Sequence, residues 1–311
     1  MKIIFFGTSK FAVPAFQLLM TMDYRVVVIS GPDSVVGRNK TLTPPPVKIA
    51  AEKLGVNVLQ PRKLNDPEFI AYCLSLNANI GVVASYGKII PKAIINLFPL
   101  GILNIHPSLL PKYRGPSPIQ YALLNGDRET GVTIIKIDDQ IDHGAIVKQW
   151  TVSIKPQEKY NDLHDKLANV GAELLIKTLP DFVAGKIKPY FQDNAKATFT
   201  KMITKDVGRI NWNETADQIY NQFRAFHLWP GIWTLWQGQL LKITDCLPQK
   251  TRSGDHLTGS VFRQDTDVLI ACKEGALAIY KLQMAGSKNM PVRDFLSGHN
   301  KFIGAHLNNL I

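Results

Sequence analysis

Lys2-Ile3-Ile4-Phe5-Phe6-Gly7-Thr8-Ser9 is an apolar run that ends in a small-residue turn, and behind it Phe11, Ala15, Leu18 and Leu19 recur at helical spacing. A strand, a turn and an amphipathic helix in that order open a doubly wound α/β domain. Only one glycine stands at the turn. The Gly-x-Gly-x-x-Gly fingerprint is therefore missing, which argues against a nicotinamide or flavin enzyme. Further strands are predicted at Arg25 to Ser30, Val56 to Leu59, Ile80 to Ser85, Gly101 to Ile105 and Val132 to Ile137. Helices are predicted near Val47 to Leu54, Pro67 to Leu76, Ser117 to Asn125 and Lys159 to Leu179. Alternation of this kind implies a mainly parallel, Rossmann-like sheet.

The segment from Gly31 to Lys48 is long and irregular for a connection in a compact domain, and between Ser34 and Lys48 it carries Arg38, Lys40 and Lys48 with no acidic residue. That pattern suits phosphate contact, and a solvated basic loop fits it equally well. Polar and basic residues from Ala184 to Lys201 mark an interdomain linker. Beyond it a helix is expected at Asn221 to Phe226, then short strands at Leu240 to Asp245, Thr258 to Phe262, Val268 to Ala271 and Leu277 to Leu282. The expected organisation is thus an α/β domain over 1–184, a linker over 185–203 and a small OB-like β-barrel over 204–311. Trp212, Trp229, Trp233 and Trp236 read as packing residues of that second domain.

Thirty-six Lys and Arg against twenty-five Asp and Glu leave a formal charge of +11, which favours an anionic partner without identifying one. No apolar run approaches the roughly 20 residues of a membrane span. Met1 to Phe6 lead into a strand instead of a leader, so a soluble cytoplasmic protein, with no membrane partner, is expected. Cys73, Cys246 and Cys272 are too few and too dispersed for a zinc site or a disulfide framework and are expected to be buried thiols.

The chemistry is carried by Asn104-Ile105-His106, which closes one predicted strand, and by Asp139-Gln140-Ile141-Asp142-His143-Gly144 further on. Alternation puts Asn104 and His106 on the same side of the strand. An amide donor suits a developing oxyanion, an imidazole can donate or accept a proton, and a carboxylate can orient it. Each alone is commonly a cap or a surface group; together they fit acyl-type transfer.

The block from Asn104 through Ser108-Leu109-Leu110-Pro111-Lys112-Tyr113-Arg114-Gly115 to the Asp142 turn resembles the formyl-transfer motif of the 10-formyltetrahydrofolate-dependent formyltransferases. Phe11 to Pro14, Gly37-Arg38, Ala84 to Pro91, Gly208 to Trp212 and Arg224 to Gly231 extend that resemblance to the methionyl-tRNA formyltransferase family. The resemblance implies formyl transfer from 10-formyltetrahydrofolate to methionyl initiator tRNA in translation initiation; separately, a monomer is expected, and neither this chemistry nor the residues call for a metal. It implies that Asn104, His106 and Asp142 are catalytic, and that Ser108, Leu109, Leu110, Pro111, Tyr86, Gly87 and Ile89 bind the folate. It also implies that Gly37, Arg38 and Lys40 meet the tRNA, with the second domain holding the acceptor arm. Departures from the family pattern are His143, Gln140 for a usual Gly, Asn211 for Asp, and His227-Leu228 for Asn-Pro. Two alternatives stand beside this reading: an amino-sugar formyltransferase using the same trio, and a non-catalytic RNA-binding protein on an enzyme fold.

Overall fold

Ile3, Ile4, Phe5 and Phe6 have no solvent exposure. An unbroken apolar run cannot alternate between core and water, so it requires cover on both faces, as in the centre of a parallel sheet. The computed structural model describes residues 1–37, 40–250 and 256–307 and puts the run in that position. The chain divides into two compact units. The first comprises Met1–Pro118, Glu129–Ile154 and Leu163–Thr200; the second comprises Ile119–Arg128, Lys155–Asp162 and Lys201–Ile311, and so includes two short segments from within 1–184.

Through residue 183 the elements are β1 (Lys2–Gly7), α1 (Val13–Met20), β2 (Arg25–Ile29), β3 (Ser34–Val36), β4 (Thr41–Thr43), α2 (Pro46–Lys53), β5 (Val58–Leu59) and α3 (Pro67–Ser75). There follow β6 (Ile80–Ala84), α4 (Lys92–Ile95), β7 (Ile102–His106), α5 (Pro118–Leu124), β8 (Glu129–Lys136), β9 (Ala145–Ser153) and α6 (Tyr160–Val183). Seven strands make one sheet in the order β5-β2-β1-β6-β7-β8-β9. From β5 to β7 neighbours run parallel, whereas β8 and β9 are antiparallel additions. The sheet is mainly parallel, as the alternation of elements implies. Strand β9 is not legible in sequence, because Lys148 and Gln149 interrupt its apolar pattern at the sheet edge.

The Gly31 to Lys48 segment is not wholly irregular. β3 and β4 pair as a hairpin that puts Val35 opposite Leu42, both exposed. Its base is fastened by Lys48, whose Nζ lies 2.9 Å from both carboxylate oxygens of Asp33 and 2.9 Å from Gln60 Oε1. The expected linker is also more ordered in its attachment than a tether. Residues 190–200 form a strap on the first unit: Tyr190 exchanges backbone hydrogen bonds with Ile146, and Thr198 and Thr200 pair with Arg114. These are main-chain bonds, which leave no hydrophobic period to read.

In the second unit, α7 (Ala216–Ala225) starts in a capping box in which Thr215 and Gln218 each bond the other's backbone N–H. The strands β10 (Ile232–Trp236), β11 (Gln239–Gln249), β12 (Val261–Gln264), β13 (Asp267–Ala271), β14 (Ala276–Met284) and β15 (Met290–Pro291) precede α8 (Val292–Gly298). They form an antiparallel sheet, β10-β11-β14-β13-β12, with β15 on β14. The pairing among the described residues runs in line from β10 to β12, so the expected barrel is met at the level of an antiparallel β domain. Trp212 and Trp236 are buried as packing residues, but Trp229 is exposed beside Leu228. All three cysteines are buried free thiols.

Helix α6 packs closely on the sheet at Gly171. A Cβ there would lie 2.6 Å from Ile105 Cγ2 and 3.3 Å from Val132 Cγ1. Ile105 stands between Asn104 and His106, so the close approach braces the strand that carries both. Gly171→Val is expected to lower the unfolding free energy by about 1–3 kcal/mol through overpacking. An unchanged midpoint in urea unfolding would show that α6 can move away without cost.

Candidate active site

Strand β7 lies where the sheet changes from parallel to antiparallel, and its carboxyl end is where an open α/β sheet presents functional groups. Asn104 and His106 point to the same side there, opposite Ile135 and Thr133 of β8. The loop between β8 and β9 delivers Asp142 to them. Asp142 has φ 50°, a left-handed conformation that disfavours a side chain and turns its carboxylate inward. One oxygen, Oδ1, lies 3.3 Å from Asn104 Nδ2 and 3.4 Å from His106 Nδ1. The other, Oδ2, accepts from the Gly115 backbone N–H at 2.8 Å. The structure thus brings Asn104, His106 and Asp142 together, with the shortest bond coming from a backbone amide in the loop after β7.

His106 is 4% exposed, and its Nε2 is 3.0 Å from the Tyr113 carbonyl oxygen. A carbonyl only accepts, so Nε2 carries a hydrogen; a carboxylate on the Nδ1 side likewise only accepts. A ring protonated at both nitrogens satisfies both partners. For Asp142, burial pushes the carboxyl pKa up, but the opposing charge and hydrogen bond of His106, the Gly115 N–H and the Arg114 guanidinium outweigh it and hold the pKa below 3.8. His143 does not join this group. Its Nδ1 is 2.7 Å from Asp138 Oδ2 and its Nε2 is 3.4 Å from Asn194 Nδ2.

The residues assigned to the folate divide by exposure. Ser108 is fully buried, its hydroxyl bonded to the Lys112 carbonyl, and Leu110 is buried with its N–H on Thr133 Oγ1. Thr133 in turn donates to the Ser108 carbonyl and accepts from Gln149, so these residues stiffen the loop from the inside. Leu109 lies over Gly131, where a Cβ would meet its Cδ2 at 2.5 Å. Leu109 and Pro111 reach the surface in part. Tyr86 packs edge-on against Phe6 in the core, and its buried hydroxyl is pushed up to about 12. Gly87 is exposed at φ 80°, and Ile89 is 77% exposed on an open depression of about 430 Å³ that Arg62, Lys63 and Lys88 also line.

Of the residues assigned to the tRNA, Gly37 and Lys40 are exposed beyond the β3–β4 pairing, and Arg38 lies outside the described residues. Lys48 is committed to Asp33 and Gln60. Among the described residues no group of three His, Cys, Asp or Glu is placed to hold a metal ion, and no helix is long and apolar enough to cross a membrane. The groups that sequence reading missed are Tyr113 and Gly115, which act through backbone atoms, and Arg114 and Gln192. Arg114 and Gly115 stand in the quoted motif, but nothing in a linear reading shows that Gln192 returns to the Asp142 turn.

The family model described as formyl transferase matches residues 1–179, and the model for its C-terminal domain matches residues 202–300. The chain belongs to the formyl transferase family. Its relatives include proteins named methionyl-tRNA formyltransferase. The one from Caldanaerobacter subterraneus subsp. tengcongensis is 40% identical over 302 residues, covering 96% of this chain and 97% of the relative. The one from Roseiflexus sp. is 42% identical over 300 residues, covering 96% of this chain and 92% of the relative. Among solved structures, the sugar 3N-formyl transferase WlaRD, determined with dTDP and 5-N-formyl-THF, superposes with TM-score 0.67 at 21% identity, covering 93% of this chain and 99% of its own. HypX from Aquifex aeolicus, in complex with tetrahydrofolic acid, gives TM-score 0.64 at 16% identity, covering 97% of this chain and 48% of its own. These structural likenesses establish the shared fold of this formyl transferase family member.

Because the folded-state pKa of Asp142 is depressed, the stability it contributes is full above the ordinary value of 3.8 and is lost as pH falls through the lower folded value. Wild type is therefore expected to lose stability relative to Asp142→Asn between pH 7 and pH 3. Urea midpoints of the two proteins across that range provide the check; parallel curves would mean that the carboxylate gains nothing from His106 and Gly115.

Proposed function

We propose that this chain transfers the formyl group of 10-formyltetrahydrofolate to the α-amino group of methionyl initiator tRNA. The reading is carried by the assembly of Asn104, His106 and Asp142 at one strand end in a member of the formyl transferase family. The acceptor is supported by the relatives, whose 40–42% identity runs through both units.

The reaction joins the amine nitrogen to the formyl carbon and releases N10 of the folate. Asn104 has two Nδ2 hydrogens; one faces Asp142 and the other donates to the oxyanion that forms on the formyl oxygen. Asp142, kept as a carboxylate by its partners, accepts the proton that the amine loses as the new bond forms. The His106–Asp142 pair returns a proton to the departing nitrogen, so the enzyme ends in its starting state. Leu109, Pro111, Gly87 and Ile89 are the accessible members of the folate set, and Ser108, Leu110 and Tyr86 support them from below.

A second reading, an amino-sugar nucleotide as acceptor, is favoured by one observation: a sugar formyl transferase superposes over 93% of this chain. Fold alone therefore does not distinguish the two acceptors. The deciding assay supplies 10-formyltetrahydrofolate with methionyl initiator tRNA, deacylated tRNA or an amino-sugar nucleotide. Formylation confined to the charged tRNA is expected, and turnover confined to the sugar would replace the reading.

Arg38 tests the tRNA assignment separately. Arg38→Leu is expected to lower the rate on tRNA by roughly 10-fold or more, the scale of one charge-assisted bond, while the KM for the folate stays put. Lys40→Ala should do less, since a flexible ammonium makes no bidentate contact. Wild-type kinetics in Arg38→Leu would make the loop a solvated insertion.

A further inference from the structure

Residues 190–200 fall between the two matched segments of the family, 1–179 and 202–300, and read in sequence as linker. In the fold this strap fastens both loops of the site. Thr198 and Thr200 pair with Arg114 through the backbone, Thr198 Oγ1 accepts from the Tyr113 N–H at 2.8 Å, and Thr200 Oγ1 accepts from the Ser117 N–H at 3.1 Å. Its Gln192 side chain is 8% exposed and reaches the other loop. Gln192 Nε2 donates to the carbonyls of Asp142 and Gly144, each at 2.8 Å. Gln192 Oε1 accepts from Arg114 Nε at 3.1 Å and from Arg114 Nη2 at 2.8 Å.

Every hydrogen-bonding position of that carboxamide is used, and its orientation is fixed. Two carbonyls demand the NH2 on one side and a guanidinium demands the oxygen on the other. The turn it holds needs holding. Asp142 is a non-glycine residue at φ 50°, and Gly144 is pressed onto β8 so closely that a Cβ would lie 2.0 Å from the Lys136 carbonyl oxygen. Arg114, 4% exposed and also bonded to Asn194 Oδ1, anchors the far end of Gln192 and precedes the Gly115 N–H that grips Asp142 Oδ2. The carbonyl of Asp142 and its carboxylate are therefore bound to one rigid piece, Arg114-Gly115 with the strap.

We propose that Gln192 is a positioning residue for the transfer reaction: from the strap, its carboxamide locks the left-handed turn that presents Asp142 to Asn104 and His106. This rests on the formyl-transfer reading of the same site. Gln192 touches no reacting atom, so its effect passes through the position of Asp142, and a displacement of about 1 Å in such a group can cost on the order of 100-fold in rate.

The test uses Gln192→Glu and Gln192→Met in the full-length protein. Glu keeps the length and the contact to Arg114 but sets an oxygen against two carbonyl oxygens; Met keeps the volume and removes both donors. Both are expected to retain a cooperative melt and a folate KM within about 3-fold of wild type, with kcat reduced by roughly 10- to 100-fold. In combination with Asp142→Asn, Gln192→Glu should add less than about 2-fold to the loss from Asp142→Asn alone, because a residue acting through Asp142 has nothing left to position. Wild-type kcat in both single variants, a loss confined to KM, multiplication of the two losses, or failure of both variants to fold would each overturn the proposal. A wild type that transfers no formyl group, or a fully active Asp142→Asn, would overturn the functional reading on which this rests, and either result is distinguishable from the outcomes above because it appears without any change at Gln192.

Discussion

The carboxylate of Asp142 is the point on which the site depends. It is gripped by the Gly115 N–H at 2.8 Å and meets Asn104 and His106 at 3.3 and 3.4 Å. Desolvating a carboxylate is costly unless donors and an opposite charge replace the lost water. Here one short backbone bond and a buried imidazole do so, and the net effect is a carboxyl that stays ionised. The two longer contacts are those with the side chains of Asn104 and His106.

What holds that arrangement comes from several distant parts of the chain. β7 supplies Asn104 and His106, the loop after it supplies the Tyr113 carbonyl and the Gly115 N–H, and the β8–β9 loop supplies Asp142. Gly171 lets α6 sit against Ile105 behind the strand. Thr133, opposite His106 on β8, ties Ser108 and Leu110 of the motif loop to the sheet. The motif loop is thus stiffened from within by buried residues, and Leu109 and Pro111 form its accessible rim. Ser108 and Leu110 are among the buried stiffening residues.

The central strands and the placement of Asn104 with His106 on one face are legible because their causes are local. An apolar run such as Ile3 to Phe6 has one use in a parallel sheet, and Asn104 and His106 share a face by strand alternation. β9 was hidden by Lys148 and Gln149 on an edge strand that tolerates polar residues, and the β3–β4 hairpin by its lack of a covered face, with Val35 and Leu42 both exposed. The strap was read as linker because its attachment is made by backbone bonds and by polar side chains. Gln192 lies 50 residues beyond Asp142, so no periodicity connects them. Tyr86, which the resemblance places in the folate set, packs its ring on Phe6 in the core, and no periodicity in the sequence announces that burial.

The most direct test of a trio that works as one unit is a mutant cycle on formyl transfer with His106→Ala, Asp142→Asn and the double variant, at saturating folate. Each single change is expected to reduce kcat by roughly 100-fold or more, and the double variant to fall little below the worse single one. Losses that multiply in the double variant would show that His106 and Asp142 act independently, and would contradict an active site organised around one shared carboxylate.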